Sequence, residues 1–294
     1  MRAAAILGLG CSPKNLQPFQ ADASVELRIG VPASGDQVDV ILVFGGDGTI
    51  HRHLRKLVKL GIPVLVVPAG SGNDFARALG LRGVRDSLIA WQKFCDGANN
   101  VRTIDLGLIT PIGGDQDSAE GERYFCCVAG VGIDGEVSRR ANRLPRWLRG
   151  HGGYALTLAP AIFTFAPLPI RIMTRDETAA ESWITRSDRP TLLAAFANTP
   201  VYGGGMKVAP RARIDDGLLD VCIVGGVAPL KLLTMLPSVY TGSHLKLREV
   251  EYFNSDRVRV ETEAPLAVYA DGEYVCETPA EVGIRRAALK VVTV

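Results

Sequence analysis

The first residues able to do chemistry follow an apolar run at 38–44 that has the pattern of a buried strand. The next five residues, 45–49, read GGDGT and lead directly into a helical pattern. Glycines let backbone N–H groups approach a phosphate closely, and a helix N-terminus adds partial positive charge. The pattern predicts a phosphate-binding loop, with a capped glycine turn as the structural alternative. Asp47 would repel phosphates there unless it serves a cation such as Mg²⁺ or hydrogen-bonds the loop.

A second loop at 68–77, PAGSGNDFAR, repeats the order of strand, small residues and helix start. Because both loops follow parallel strands, we expect them at the carboxyl edge of one sheet, where α/β proteins bind ligands. Ser71 can donate to a phosphate or a ribose, and Asn73 or Asp74 can cap the helix. Together the two loops predict a nucleotide site.

Acidic turns in the second half suit the remaining chemistry. Asp271-Gly272-Glu273 offers carboxylates, and a positioned carboxylate that accepts the proton of an attacking alcohol contributes about 100- to 10,000-fold. The stretch 215–221, DDGLLDV, offers oxygen ligands from a loop, which suit a hard cation such as Mg²⁺. Each stretch is also an ordinary turn, so the residues alone leave both interpretations open.

Periodicity predicts the elements that position these loops. Alternating strands and helices at 1–102 predict an α/β domain with a parallel sheet, and the strand-rich pattern of 103–285 predicts a mainly antiparallel second domain. The segment 286–294 is expected to return to the first domain. After Thr49 an apolar stripe predicts a helix that Gly61 ends. The other face of that helix is basic, for which a solvated face is the plain interpretation: His51, Arg52, His53, Arg55, Lys56 and Lys59.

Composition narrows the class of protein. The 294 residues are 47% hydrophobic and 22% charged, with a net charge of +2, which indicates a globular chain without a global field toward nucleic acid. No apolar run reaches the roughly 18 residues that a membrane span needs. Six cysteines without CxxC spacing favour a reduced, cytoplasmic protein. Residues 1–11 faintly imitate an export signal, but a first strand explains them as well.

The loop 45–49 followed by 68–77 resembles the catalytic domain of the diacylglycerol kinase and sphingosine kinase family, in its bacterial lipid kinase branch. GVGIDGEV at 130–137, NTPVYGGGMKVAPRARIDDGLLDV at 198–221 and YADGEYV at 269–275 extend the resemblance over nearly the whole chain from residue 38. GGDGT is shared with NAD kinases and phosphofructokinases, whereas the later motifs are more selective. The resemblance implies a phosphofructokinase- and NAD-kinase-like first domain, a β-rich second domain and an active site in the cleft between them.

The implied activity is transfer of the γ-phosphate of ATP to a hydroxyl of a diacylglycerol-like or sphingoid lipid at a membrane surface, with ATP and Mg²⁺ as cofactors. Asp216 with the backbone carbonyls of Arg213 and Leu218 matches the metal site of the family. Asp271 and Glu273 match its DGE motif, in which one acts as the general base, and we favour Glu273. With Asp47 also in the catalytic set, the implied nucleotide-binding residues are Gly45, Gly46, Asp47, Gly48, Thr49, Ile50, Ser71 and Asn73.

The beginning of the chain departs from the family pattern. The family opens with an Asn-Pro-x-Ser/Ala-Gly loop and a long helix, whereas here the first strand leads to GLGCSPKNLQPF at 8–19. We expect Gly8, Gly10 and Ser12 to substitute through backbone contacts. The change leaves two alternatives open: a kinase for a water-soluble acceptor, as in NAD kinases, and a lipid or nucleotide sensor without turnover.

An arginine-rich stretch at 139–149 contains a single tryptophan and no acidic residue. It suits peripheral contact with anionic headgroups or, alternatively, a solvated helix face. We expect no nucleic acid partner, and a homodimer through an exposed sheet edge is a further option. The residues in question are Arg139, Arg140, Arg143, Arg146, Trp147 and Arg149.

Overall fold

The computed structural model shows two compact units, an N-terminal unit of residues 1–106 and 286–294 and a C-terminal unit of residues 107–285. Arg146, Trp147 and Arg149 of the arginine-rich stretch lie outside the described residues. Within the described part of the chain, no helix is both long enough and apolar enough to span a membrane. The structure describes residues 1–20, 25–113, 123–143, 153–175 and 182–294.

The N-terminal unit is built on a parallel sheet with the strand order β2-β1-β3-β4, and the last part of β15 pairs in parallel with β4. Its strands are β1 (Arg2–Leu7), β2 (Glu26–Ile29), β3 (Val40–Gly45) and β4 (Val64–Pro68), with β5 (Val101–Pro111) and β15 (Ala280–Val292) crossing between the units. Its helices are α1 (Asp47–Leu60), α2 (Asp74–Ala78) and α3 (Val84–Cys95), with 3-10 turns at Pro13–Phe19 and Gly35–Gln37.

Burial explains why these segments form strands and helices. Every residue of β3 and β4 is buried, as expected for central strands covered on both faces. Helix α1 packs on the sheet through buried Ile50, Leu54 and Leu57. It ends at Gly61, which adopts the left-handed conformation that glycine allows without strain, with φ +66°. The predicted helix and its stop signal are both confirmed.

The C-terminal unit is mainly antiparallel, with the strand order β14-β13-β7-β9-β8-β12 and with β10 pairing with β9 and β11. Its strands are β6 (Arg123–Phe125), β7 (Val128–Gly132), β8 (Leu168–Arg175), β9 (Trp183–Ala197), β10 (Leu219–Gly225), β11 (Val250–Ser255), β12 (Arg257–Thr262), β13 (Ala267–Ala270) and β14 (Glu273–Glu277). Its helices are α4 (Ile133–Arg143), α5 (Gly153–Thr164) and α6 (Pro229–Thr241), and a 3-10 turn spans Ser243–Lys246.

The core of this second unit comes from the inward faces of its strands, with Phe125 and Phe196 fully buried among aliphatic side chains. The predicted parallel α/β domain and the predicted antiparallel β-rich domain are therefore both confirmed. Their assignment as nucleotide-binding and lipid-binding domains stays a prediction, as does the cleft between them.

One residue of β15 has an unusual backbone. Ala287 has φ +52°, and its N–H donates to Asp105 Oδ1 over 2.7 Å. A left-handed conformation costs an L-residue about 1–2 kcal/mol, whereas glycine in a regular strand costs roughly 0.5–1 kcal/mol relative to alanine.

We therefore predict that Ala287→Gly raises the free energy of unfolding by about 0.5–1 kcal/mol in urea denaturation, because relief of strain exceeds the entropic cost. The neighbouring Ala288→Gly is the control and should lower it by a similar amount. Equal destabilisation by both substitutions would contradict the strained conformation.

Candidate phosphate-binding and catalytic residues

The two glycine-rich loops leave the same edge of the parallel sheet. Gly45 at the end of β3 is in register with Pro68 at the end of β4, and Ala69 N–H donates to the Gly45 carbonyl over 3.0 Å. The loops at 45–49 and 68–77 are thus neighbours. This arrangement agrees with the expectation that both lie at the carboxyl ends of parallel strands.

Glycine is required where the loops touch. A Cβ atom on Gly46 would lie 2.9 Å from Gly70 Cα, and one on Gly72 would lie 2.7 Å from Asp47 Oδ2. Real Cβ atoms do not approach other atoms so closely, so side chains at these positions would push the loops apart. The two loops therefore pack as one surface formed largely of backbone, the kind of surface on which N–H groups can meet phosphate oxygens.

Asp47 joins the first loop to the second. Its Oδ2 accepts from Asp74 N–H over 3.1 Å, and its Oδ1 accepts from Phe75 N–H over 3.0 Å. These donors belong to the first turn of α2, whose N–H groups have no partner inside the helix. Asp47 thus caps α2 from outside the helix. The sequence suggested two roles for Asp47, binding a cation or hydrogen-bonding the loop, and this contact is the second. A metal-linked role for Asp47 stays a prediction.

Asn73 has a different structural role from the one its position suggested. It is the N-cap residue of α2, with φ +56°, but its side chain makes no capping bond. Instead Asn73 Oδ1 accepts from Gly70 N–H over 2.9 Å, and Asn73 Nδ2 donates to the Gly70 carbonyl over 2.6 Å. The side chain of Asn73 therefore closes the turn of the second loop. Asp74 is buried and pairs with Arg77 over 2.5 Å.

The end of β1 also contributes to this surface. Gly8 N–H donates to the Phe44 carbonyl over 2.7 Å, and Gly8 lies against the Thr49 side chain with no room for a Cβ atom. A Cβ on Gly45 would lie 2.5 Å from Thr49 Oγ1, so two glycines enclose that hydroxyl. The 3-10 turn at Pro13–Phe19 follows where the family has its long helix. Among the other predicted residues of the loops, Ile50 is buried and Ser71 is exposed.

If Asp47 caps α2, removing its charge should loosen the second loop. We predict that Asp47→Asn accelerates hydrogen exchange of the Asp74 and Phe75 amides by about five- to tenfold, since one acceptor is lost and a cap is worth about 1 kcal/mol. The control is Asp86→Asn, because Asp86 accepts from Arg82 N–H over 2.8 Å elsewhere in the unit. Unchanged exchange at Asp74 and Phe75 in Asp47→Asn would show that the contact is dispensable.

In the C-terminal unit, Asp271 is held by backbone donors. Its carboxylate accepts from Cys126 N–H over 2.7 Å, from Cys127 N–H over 2.9 Å and from Val128 N–H over 3.3 Å. Asp271 and Gly272 have φ values of +50° and +83°, as in the tight turns that join hairpin strands. Asp271 therefore ties the β13–β14 turn to the start of β7.

Glu273 follows this turn and is half-buried, and its carboxylate makes no hydrogen bond or ion pair with any residue that the structure describes. The turn thus contains one carboxylate engaged with backbone and one available to accept a proton. This difference favours Glu273 as the base, an assignment that stays a prediction. Asn198 holds the segment 126–128, whose N–H groups bond Asp271, since Asn198 Nδ2 donates to the Cys126 carbonyl over 2.9 Å.

The predicted metal loop contains a buried, partly unsatisfied carboxylate. Asp216 Oδ1 accepts from Leu218 N–H over 3.1 Å. Asp220, fully buried, accepts from the Tyr252 hydroxyl over 2.5 Å through Oδ1, whereas its Oδ2 has no partner among the described residues. Burial, and then the charge of Asp216, raises the pKa of Asp220. Two neighbouring carboxylates with an unpaired oxygen fit a hard cation, although no cluster of three or more acidic, His or Cys side chains suited to a metal occurs within the described ranges.

Asp134 lies in the motif at 130–137 but was not among the residues predicted for the site. Asp134 Oδ1 accepts from the Tyr202 hydroxyl over 3.2 Å, and burial raises the pKa of Asp134 to about 6. A Cβ on Gly130 would lie 2.6 Å from Asp134 Oδ2. The signal available in the sequence was an acidic residue at the start of a helix within a glycine-rich motif, which by itself fits a helix cap.

Comparisons with known proteins agree with this architecture. Residues 20–109 match the model of the diacylglycerol kinase catalytic domain, and residues 127–293 match that of the YegS C-terminal NAD kinase beta sandwich-like domain. A protein of Mycobacterium tuberculosis named diacylglycerol kinase is 36% identical over 253 residues, which cover 86% of this chain and 76% of that protein.

Solved structures show the same fold. A diacylglycerol kinase from Bacillus anthracis aligns with a TM-score of 0.64 at 18% identity, covering 100% of this chain and 97% of that one. An NAD kinase from Archaeoglobus fulgidus in complex with ATP aligns with a TM-score of 0.51 at 15% identity, covering 100% and 94%. These similarities define the fold of this chain as the two-domain kinase fold that diacylglycerol kinases share with NAD kinases.

The chain belongs to the bacterial family of diacylglycerol kinases and YegS-like lipid kinases. This membership confirms the resemblance seen in the motifs. It also confirms the class of enzyme, a phosphotransferase that acts on an alcohol group. The individual site residues and their roles stay predictions.

Proposed function

We propose that this protein transfers the γ-phosphate of ATP to the hydroxyl of a diacylglycerol-like or sphingoid lipid. The observation that carries the proposal is the pair of glycine loops packed edge to edge and linked by Asp47. The M. tuberculosis relative favours diacylglycerol among the candidate lipids, since that protein is named for it. The place of action is the cytoplasm, at the surface of the membrane that contains the lipid.

The loops have the features that binding of a triphosphate requires. Gly45, Gly46 and Gly48 have no side chains to keep a phosphate from the backbone, and α1 begins among them, at Asp47, with Gly48 in its first turn. Ser71 is exposed on the second loop, where its hydroxyl can donate to a phosphate or ribose oxygen. Positioning of this kind supplies most of the catalysis in phosphoryl transfer, where little covalent chemistry is asked of the protein.

Glu273 is proposed as the general base. The lipid hydroxyl attacks the γ-phosphorus and transfers its proton to the Glu273 carboxylate, while the bond from that phosphorus to the bridging oxygen breaks and ADP leaves. Asp271 keeps the turn in place through its backbone bonds and is proposed to orient Glu273. Asp47 is proposed to keep both loops in the arrangement that receives the phosphates.

The residues that would hold Mg²⁺ are Asp216, through its carboxylate, and Arg213 and Leu218, through their carbonyls. The unpaired Oδ2 of Asp220 beside this loop agrees with a cation there. When bound, the ion would supply positive charge that balances these carboxylates and stiffens the loop.

The class of acceptor can be tested directly. The purified protein is incubated with γ-labelled ATP and vesicles containing diacylglycerol, sphingosine or ceramide, and the mixture is extracted with chloroform. We expect label in the organic phase, with diacylglycerol labelled fastest. Label confined to the aqueous phase when NAD is added would instead indicate an NAD-kinase-like acceptor, and no transfer to any acceptor would indicate a sensor.

The role of Glu273 leads to a separate prediction. Glu273→Gln should lower kcat by about 100- to 10,000-fold with little change in KM for ATP or in thermal stability, because only proton acceptance is lost. Glu277→Gln, which removes an exposed carboxylate from the same strand, is the control and should keep its activity.

The substitution Asp271→Asn distinguishes the structural role of Asp271 from the proposed catalytic role of Glu273. We expect this variant to melt at lower temperature, since a hydrogen-bonded buried group that loses its acceptor costs about 1–3 kcal/mol.

For the assignment of the base, a kcat of Glu273→Gln within about threefold of wild type would be the refuting result.

A further inference from the structure

The exposed face of α1 carries an unusual arrangement of charge. Arg52, Arg55, Lys56 and Lys59 are all exposed and occupy positions i, i+3, i+4 and i+7, which places them in one stripe along the helix. We call these four residues the basic stripe. No acidic residue follows Asp47 in this helix.

In the basic stripe, the side chains of Arg52, Lys56 and Lys59 make no ion pair or hydrogen bond with the residues that the structure describes. Several cations elsewhere on the surface have an acidic partner, and Arg139 and Arg140 of the arginine-rich stretch are among them. The pairs are Arg2 with Asp39, Arg139 and Arg140 with Glu136, Arg171 with Asp188, Arg189 with Glu251, Lys231 with Glu249 and Arg257 with Glu281.

This arrangement opposes the stability of the helix. Arg52 with Lys56, and Arg55 with Lys59, are like-charged pairs at i,i+4, each of which destabilises a helix by a few tenths of a kcal/mol. Burial and the charges of Arg52 and Lys56 also lower the pKa of the neighbouring His53, as a positive local potential requires. A solvated face does not need such a one-sided distribution.

The surrounding unit has the same sign of charge. The N-terminal unit contains 14 Lys and Arg against nine Asp and Glu, a net charge of +5, although the whole chain carries only +2. The positive charge is therefore concentrated in one unit, and Arg52, Lys56 and Lys59 contribute to it without an acidic partner in the described part of the chain. Charge of this density attracts an extended anionic surface.

We propose that the basic stripe of α1 docks the protein on the anionic surface of a phospholipid bilayer. This inference rests on the proposed function, because a kinase for a lipid must work where its substrate lies in a bilayer. Each Lys or Arg near an anionic membrane contributes about fivefold in affinity, so the stripe supplies a salt-dependent attraction and leaves catalysis to the loops.

The test is sedimentation of the full chain with phosphatidylcholine vesicles that do or do not contain phosphatidylglycerol. The variant combines Arg52→Gln, Lys56→Gln and Lys59→Gln. The control combines Lys14→Gln, Arg85→Gln and Lys93→Gln, which removes three exposed charges from the same unit outside α1. We expect the wild-type protein to bind only the anionic vesicles, the α1 variant to bind them about 100-fold more weakly, and the control to lose less than about fivefold.

Unchanged binding by the α1 variant, or equal loss in both variants, would overturn the proposal, since net charge alone would then explain the attraction. Tighter binding of the wild type to RNA than to anionic vesicles would also overturn it. Thermal melting shows whether the α1 variant is folded. Because this variant loses two repulsive pairs, its melting temperature should be no lower than that of the wild type.

A kinase assay with short-chain diacylglycerol dispersed in water separates the two proposals. Equal turnover by wild type and the α1 variant, together with lost vesicle binding, supports docking by the stripe. Vesicle binding without phosphorylation of any lipid would refute the proposed function and leave the basic stripe as an anionic membrane contact. Phosphorylation with unchanged vesicle binding would refute the docking surface alone.

Discussion

The bonds from the Asp47 carboxylate to the first turn of α2 are the interaction on which the phosphate-binding surface depends. A buried-type strand delivers Asp47 to the sheet edge, and the next parallel strand delivers the Asp74 and Phe75 amides to the same place. Gly46 and Gly70 allow the loops to meet. Without the carboxylate, the helix would keep unsatisfied donors at its start, and the loops would lose the side-chain link that adds to the backbone bond from Ala69 N–H to the Gly45 carbonyl.

The C-terminal unit uses the same chemistry at the turn after β13. Asp271 accepts three backbone N–H bonds from the segment that opens β7, which fixes a turn whose next carboxylate, Glu273, makes no such bonds. In both units an aspartate inside a glycine-containing motif holds backbone in place. The aspartates of these two motifs thus have a structural role in addition to any catalytic one.

Sequence patterns predicted those features that depend on local rules. The spacing of Ile50, Leu54 and Leu57 identified α1, and Gly61 marked its end, because amphipathic periodicity and the left-handed glycine conformation act within a few residues. The partner of Asp47 lies 27 residues away in the chain, so only the fold reveals it. Asn73 or Asp74 was expected to cap α2, whereas the Asn73 side chain bonds Gly70, and spacing alone does not decide between these two local partners. Alanine gives no signal of positive φ, so Ala287 could not be anticipated.

Hydrogen exchange across the N-terminal unit, measured with and without a non-hydrolysable ATP analogue, tests most directly whether the two loops bind the phosphates together. If the two loops form one phosphate site, the amides of residues 45–50 and 70–75 will gain protection together and over the same range of analogue concentration. Protection confined to one loop, or absent from both at saturating analogue, would contradict a single phosphate site formed by both loops.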